Sequence, residues 1–131
     1  PEDEVGALMR LFLRVLESEV EELTRQQVHL RFIGDRSRFP EAIRARMASA
    51  ERIRLAGPKL TLTLAAGYGG RADIAQAARV LAERVQAGTL RPEQIDEQAM
   101  AEAMSLADLP PPDLFIRTGG EHRISNFLLW Q

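Results

Sequence analysis

Residues 59–88 read "KLTLTLAAGYGGRADIAQAARVLAERVQAG". Leu60, Leu62 and Leu64 alternate with Thr61 and Thr63, the period of two that sends successive side chains to opposite faces of a strand. "GYGG" ends the alternation, and "RADIAQAARVLAERVQAG" reads as a helix closed by Gly88. A strand that passes through a glycine turn into a helix is the repeating half of an α/β architecture.

The flanks repeat the theme. Upstream, Val5, Leu8, Met9, Phe12, Leu13, Leu16, Val20 and Leu23 recur at helical spacing, predicting an amphipathic helix over residues 2–26. "VHLRFIG" reads as a strand, and a second helix opens near Pro40, carries Ile43, Met47, Ala50 and Ile53, and stops at Gly57-Pro58. Downstream, a fourth helix runs from Pro92 to about Met104. A "PPP" break then leads to "DLFIR", apolar on both faces as a buried parallel strand would be. The order α-β-α-β-α-α-β predicts the α/β class: a mostly parallel sheet with helices on both faces, in one domain spanning residues 1–131. Each expected strand ends in a polar or glycine-bearing turn ("GD", "GYGG", "RTGG"). Ligands of open parallel sheets bind beyond the carboxyl ends of the strands, so these turns are where chemistry is expected.

Composition narrows the classes. A net charge of −2 with 27% charged residues gives no basic surface for general nucleic-acid binding. The absence of cysteine removes disulfides and thiolate metal sites and fits a reducing compartment. No apolar run approaches the roughly 20 residues of a membrane span, so the expectation is a cytoplasmic protein. Pro1 leads straight into a helix, and the chain closes on "FLLWQ", whose bulky side chains favour burial. Both ends read as those of a piece of a longer protein.

Four features carry possible chemistry. Arg117 and Arg123 flank the Gly119-Gly120 turn, with Ser125 two residues on. Two guanidiniums, a hydroxyl and approachable backbone N–H groups suit a dense anion such as a phosphate or diphosphate. The alternative is that both arginines simply pair with Asp113 and Glu121. Gly67, Gly69 and Ala72 fit a G-x-G-x-x-A dinucleotide pattern. The second strand and acidic residue that this fold requires do not follow, which favours a tight strand-to-helix turn. His29 lies in a strand and His122 in the arginine loop; neither has metal-site spacing or a nucleophile partner. The leucine face of "LTLTL" is either plain core or the wall of a tunnel for a long hydrocarbon.

"PPDLFIRTGGEHRISNFLLWQ", residues 111–131, resembles the closing motif of the cis-prenyltransferases. "RFIGD" and "YGGR" match the same family in order and spacing. The resemblance runs through essentially all of the chain, and only the closing motif is specific by itself. It implies a transferase that condenses isopentenyl diphosphate onto an allylic diphosphate such as farnesyl diphosphate, repeatedly and with cis geometry, to build a polyprenyl diphosphate carrier lipid for the cell wall. Arg117, Arg123, Ile124 (through its backbone) and Ser125 would hold the isopentenyl diphosphate, with Gly119, Gly120, Glu121 and His122 in support. Leu60, Leu62 and Leu64 would form part of the hydrocarbon tunnel. The resemblance further implies Mg²⁺ with ligands outside this segment, a homodimer, and a cytoplasmic enzyme that visits the inner face of the plasma membrane through its lipid product.

The chain also departs from the pattern. The H-x-x-x-M-D-G-N signature that carries the metal-organising Asp does not occur in it, and Gly67 stands where many members have Asn. These residues would therefore supply half of a two-substrate site and no turnover by themselves. Two alternatives are a non-catalytic partner subunit of such an enzyme and a nucleotide-binding module built on "GYGGRA".

Overall fold

In the computed structural model, which describes residues 2–131, the first element is α1, Glu2–Arg25. Acidic Glu2, Asp3 and Glu4 in its first turn and Arg25 in its last complement the helix dipole. Only part of its apolar surface faces inward. Leu16 is buried, and Met9, Phe12, Leu13, Val20 and Leu23 pack beside it, whereas Val5, Leu8, Leu11 and Val15 stay exposed. β1 (Val28–Ile33), α2 (Glu41–Arg52) and β2 (Leu60–Ala65) follow. β1 and β2 pair in parallel, as the sequence predicts, with Leu30 opposite Leu62 and Phe32 opposite Leu64. The core of this unit, which ends at Gly67, joins Leu16 of α1, Leu30 and Phe32 of β1, Phe39, and Ile43, Met47 and Ala50 of α2. Parallel strands need a crossover, and α2 supplies it, packing with α1 on the Leu30/Phe32 side of the sheet. α2 stops at Arg52, short of the Gly57-Pro58 break, with Ile53 as its extended cap. Glu51 near its end accepts from the Phe32 backbone N–H at 2.9 Å and from Arg36 at 2.5 Å, so a side chain satisfies a strand amide.

The first two strand-end turns meet. The Asp35 N–H donates to Gly67 O at 3.1 Å, and Ala66 N–H to Ile33 O at 2.9 Å. Gly34 allows this approach: its φ is +118°, and a Cβ there would lie 2.1 Å from the Ala66 oxygen.

The second unit, Tyr68–Gln131, holds α3 (Gly70–Gln86) and α4 (Glu97–Ala103). Ala77, Leu81 and Met104 are its buried apolar residues. Two expectations are corrected here. The helix predicted from Pro92 to Met104 is broken: a 3-10 turn over Pro92–Gln94 ends, and Asp96 starts α4 afresh by accepting the Ala99 N–H at 2.8 Å. A carboxylate at that position competes for the backbone and resets the cap. The strand predicted at "DLFIR" does not form either; among the described residues the sheet has two strands, and Leu114 and Ile116 are 76% and 77% exposed. Apolar, β-compatible residues make a strand only when a partner ladder takes up their backbone groups, and this segment pairs with none among the described residues. No helix among them is long and apolar enough to cross a membrane.

Candidate functional site

The third turn, Thr118-Gly119-Gly120, lies in the second unit. Gly119 and Gly120 have φ of +90° and +69°, and Ser125 is itself left-handed at +48°. These backbone choices fold residues 117–125 back on themselves and bring Arg117, Arg123 and Ser125 together. Arg117 Nη1 donates to Ser125 Oγ at 2.8 Å and to the Arg123 carbonyl at 2.7 Å. The two guanidiniums also converge on one carboxylate. Arg117 Nη2 donates to Glu121 Oε2 at 2.6 Å, Arg123 Nε to the same oxygen at 2.8 Å, and Arg123 Nη2 to Oε1 at 3.3 Å.

The two sequence readings of this loop therefore meet in one geometry. The two arginines point toward a common place, the anion bound there is the chain's own Glu121, and Ser125 is tied to Arg117 alongside. Asp113, the other acid considered, takes no part in these bonds. Glu121, expected only to support the loop, is its central acceptor. The Arg117 side chain is 28% exposed and that of Arg123 is 71%. Arg117 is thus the more enclosed partner and Arg123 the more exposed one, and neither pair is buried enough to be strong. Three of the five guanidinium donors of Arg117 are committed to Arg123, Ser125 and Glu121, and two remain for a further acceptor. His122 and Ile124 are exposed on the same loop.

What fixes the loop was not legible from the motif. Just after Ser125, Asn126 closes the start of α3: its carbonyl accepts the Gly70 N–H at 2.7 Å and its Oδ1 the Arg71 N–H at 2.8 Å. Close packing explains "YGGR" here. A Cβ on Gly69 would lie 2.7 Å from Asn126 Nδ2, and one on Gly70 would lie 2.7 Å from Leu129 Cγ. Phe127 stacks edge-on against Tyr68 at 6.0 Å between ring centroids. The first amides of α3, which a nucleotide phosphate would use, are therefore already bonded to Asn126, and the dinucleotide reading of "GYGGRA" fails on that point.

A second support lies deeper. Asp73 is 8% exposed yet carries a carboxylate. Its Oδ1 accepts the Ser105 N–H at 3.0 Å and the Ser105 hydroxyl at 2.9 Å; its Oδ2 accepts the Tyr68 hydroxyl at 3.1 Å and Gln131 Nε2 at 3.1 Å. Gln131 Nε2 also donates to the Ser105 carbonyl at 2.8 Å. Desolvation first, and then the Asp73 charge facing it, push the Tyr68 phenol up to about 12. Asn126 and Gln131 thus pin the segment that follows the arginine loop. Neither carries a sequence signal beyond membership of the closing motif.

The family model described as putative undecaprenyl diphosphate synthase, a prenyltransferase model, matches residues 1–131. The chain belongs to this prenyltransferase family. It is 65% identical over 131 residues to the farnesyl-diphosphate-specific ditrans,polycis-undecaprenyl-diphosphate synthase of Xanthomonas axonopodis pv. citri, covering all of this chain and 51% of that protein. It is 55% identical to the enzyme of the same name from Salmonella paratyphi A, covering 52% of it. Among solved structures, lavandulyl diphosphate synthase from Lavandula x intermedia, in complex with dimethylallyl diphosphate, aligns with a TM-score of 0.91 and 42% identity, over all of this chain and 57% of that one. A probable undecaprenyl diphosphate synthase from Campylobacter jejuni aligns with a TM-score of 0.80 and 29% identity, over 99% and 58%. The chain spans about half the length of the curated relatives it matches.

Within this prenyltransferase segment the three leucines share one sheet face. Leu64 packs against the core, while Leu60 and Leu62 remain 57% and 37% exposed. An open groove of about 460 Å³ runs between α1 and α2, lined by Leu16, Val20, Ala50 and Ile53 with Glu17 and Arg46 among its polar residues; it includes none of the three leucines. Among the described residues no group of three His, Asp or Glu side chains is placed to hold a metal ion. What the Arg117–Ser125 loop offers a diphosphate is guanidinium charge and hydrogen-bond donors.

Proposed function

We propose that the protein carrying this segment condenses isopentenyl diphosphate onto farnesyl diphosphate with cis geometry, making a polyprenyl diphosphate. In this reading the loop from Arg117 to Ser125 holds the diphosphate of the isopentenyl substrate. The observation that carries the reading is the convergence of the Arg117 and Arg123 guanidiniums on a single carboxylate, with the Ser125 hydroxyl accepting from Arg117 beside it. Planar guanidinium forks match the spread oxygens of a phosphoryl group and neutralise its charge. Their task is to hold the substrate in place and offset its charge, with the proton lost elsewhere. The exposed faces of Leu60 and Leu62 are read as part of the apolar wall along which the product grows. Names borne by the relatives support the substrate class. The reading extends to Mg²⁺ held by residues outside this segment, a homodimer, and a cytoplasmic enzyme reaching the membrane surface through its product.

The test uses the full-length protein with farnesyl diphosphate and radiolabelled isopentenyl diphosphate. Arg117→Ala should raise the KM for isopentenyl diphosphate by at least about tenfold, the loss of one charge-assisted fork. The KM for farnesyl diphosphate should change little. Unchanged isopentenyl diphosphate binding in this variant refutes the assignment.

A further inference from the structure

Glu121 raises a question that the diphosphate reading leaves open. Its two carboxylate oxygens take three hydrogen bonds from Arg117 and Arg123, the donors that the reading assigns to substrate. A guanidinium N–H directed at Glu121 cannot at the same moment serve a phosphoryl oxygen in another place. We infer that Glu121 is an internal competitor for the diphosphate: its carboxylate must swing off the two guanidiniums before the substrate takes the converging donors it now occupies, Arg117 Nη2, Arg123 Nε and Arg123 Nη2. The inference rests on the proposed function above and adds a residue that sets the affinity of the site.

The geometry makes the exchange feasible. Glu121 adjoins the Gly119-Gly120 turn, where a Cβ would meet nothing within 4 Å, so the backbone beside it is not wedged in place. The Glu121 side chain is 45% exposed, leaving it room to rotate into water. Arg117 keeps its grip on Ser125 Oγ and the Arg123 carbonyl through Nη1, while only Nη2 is committed to Glu121. Displacing Glu121 therefore frees Nη2 of Arg117 without releasing Arg117 from the loop. A diphosphate carries more charge and more acceptor oxygens than one carboxylate, so it wins the exchange. The carboxylate nonetheless lowers the affinity that the bare guanidiniums would show.

A site whose binding-competent form is only partly populated binds with affinity reduced by that fraction. Two partly exposed ion pairs hold the competing form, which corresponds to a factor of about two to ten. In the full-length protein, Glu121→Gln removes the charge at nearly constant size. Isothermal titration with isopentenyl diphosphate, and separately with inorganic diphosphate, should show binding about twofold to tenfold tighter than wild type. Stopped-flow measurements should place the gain in a faster association rate with the dissociation rate unchanged. Glu121→Ala should behave the same way, which excludes an effect peculiar to the amide. Arg117→Ala, measured in parallel, should weaken both ligands. If Arg117→Ala weakens binding but both Glu121 variants bind as wild type or more weakly, Glu121 organises the arginines rather than competing for them, and the inference is overturned. If Arg117→Ala binds like wild type, the diphosphate reading of the loop falls, and this inference falls with it.

Discussion

Asp73→Asn is the most informative single change in the support of the loop. All four polar neighbours of the carboxylate donate to it: two from Ser105 on Oδ1, and Tyr68 and Gln131 on Oδ2. An asparagine amide keeps one oxygen and puts an NH₂ where the other was, so whichever way it turns, two donors face two donors. If the NH₂ takes the Oδ2 position, the Tyr68 hydroxyl can rotate to accept, but Gln131 Nε2 is held by its bond to the Ser105 carbonyl. If it takes the Oδ1 position, the Ser105 backbone N–H has no alternative. One buried donor is left unsatisfied in the better case, which costs about 1–3 kcal/mol. Asp73→Ala removes every acceptor and should cost about 3–5 kcal/mol. In the full-length protein about 1 kcal/mol lowers Tm by roughly 2–4 °C, so thermal unfolding followed by circular dichroism should show falls of about 2–12 °C and about 6–20 °C. Pairing Asp73→Ala with Ser105→Ala should show a coupling of at least about 0.5 kcal/mol. An Asp73→Asn protein melting within about 1 °C of wild type would refute the claim that this carboxylate joins the start of α3, the Ser105 turn and the Gln131 segment.

Two further changes test the fold and its ionisation. Gly34→Ala places a Cβ 2.1 Å from the Ala66 oxygen at a φ of +118°, so it should lower stability by several kcal/mol or prevent soluble expression, whereas Gly88→Ala, with nothing within 4 Å, meets only its positive φ and should cost about 1 kcal/mol. Tyr68 has its folded pKa raised from 10.0 to about 12. Its contribution is fully present below pH 10, where folded and unfolded chains both hold the proton. It is lost as pH rises through the window from 10 to about 12, where the unfolded chain releases the proton first. Tyr68→Phe should flatten that part of the Tm–pH curve, and an identical alkaline slope in the variant would show that Tyr68 does not titrate this way.

The boundaries of α1, β1, β2 and α3 were readable because the signals are local: apolar spacing, a proline near a helix start, glycines at strand ends. The arginine loop was readable for the same reason. Arg117, Arg123 and Ser125 lie within nine residues, and a double-glycine turn between them leaves few ways to fold other than toward each other. "DLFIR" misled because its composition suits a strand, while strand formation is decided by a neighbour's backbone. Pro92 to Met104 misled because Asp96 had the option of capping a new helix, a choice that periodicity does not register.

The sequence by itself determined the α/β class, the parallel pair, the glycine turns and a compact set of phosphate-compatible donors. It left open whether those donors face a carboxylate, and the tertiary structure decided that they share Glu121. Only the tertiary structure brought Asn126 onto the amides of α3, 55 residues away from Arg71, and gathered Tyr68, Asp73, Ser105 and Gln131 around one buried charge. Periodicity and turn chemistry are properties of neighbouring residues and survive in the one-dimensional string. The pairing of a buried acceptor with distant donors depends on which chain segments cross, because an unsatisfied polar group is costly only after folding has removed its water.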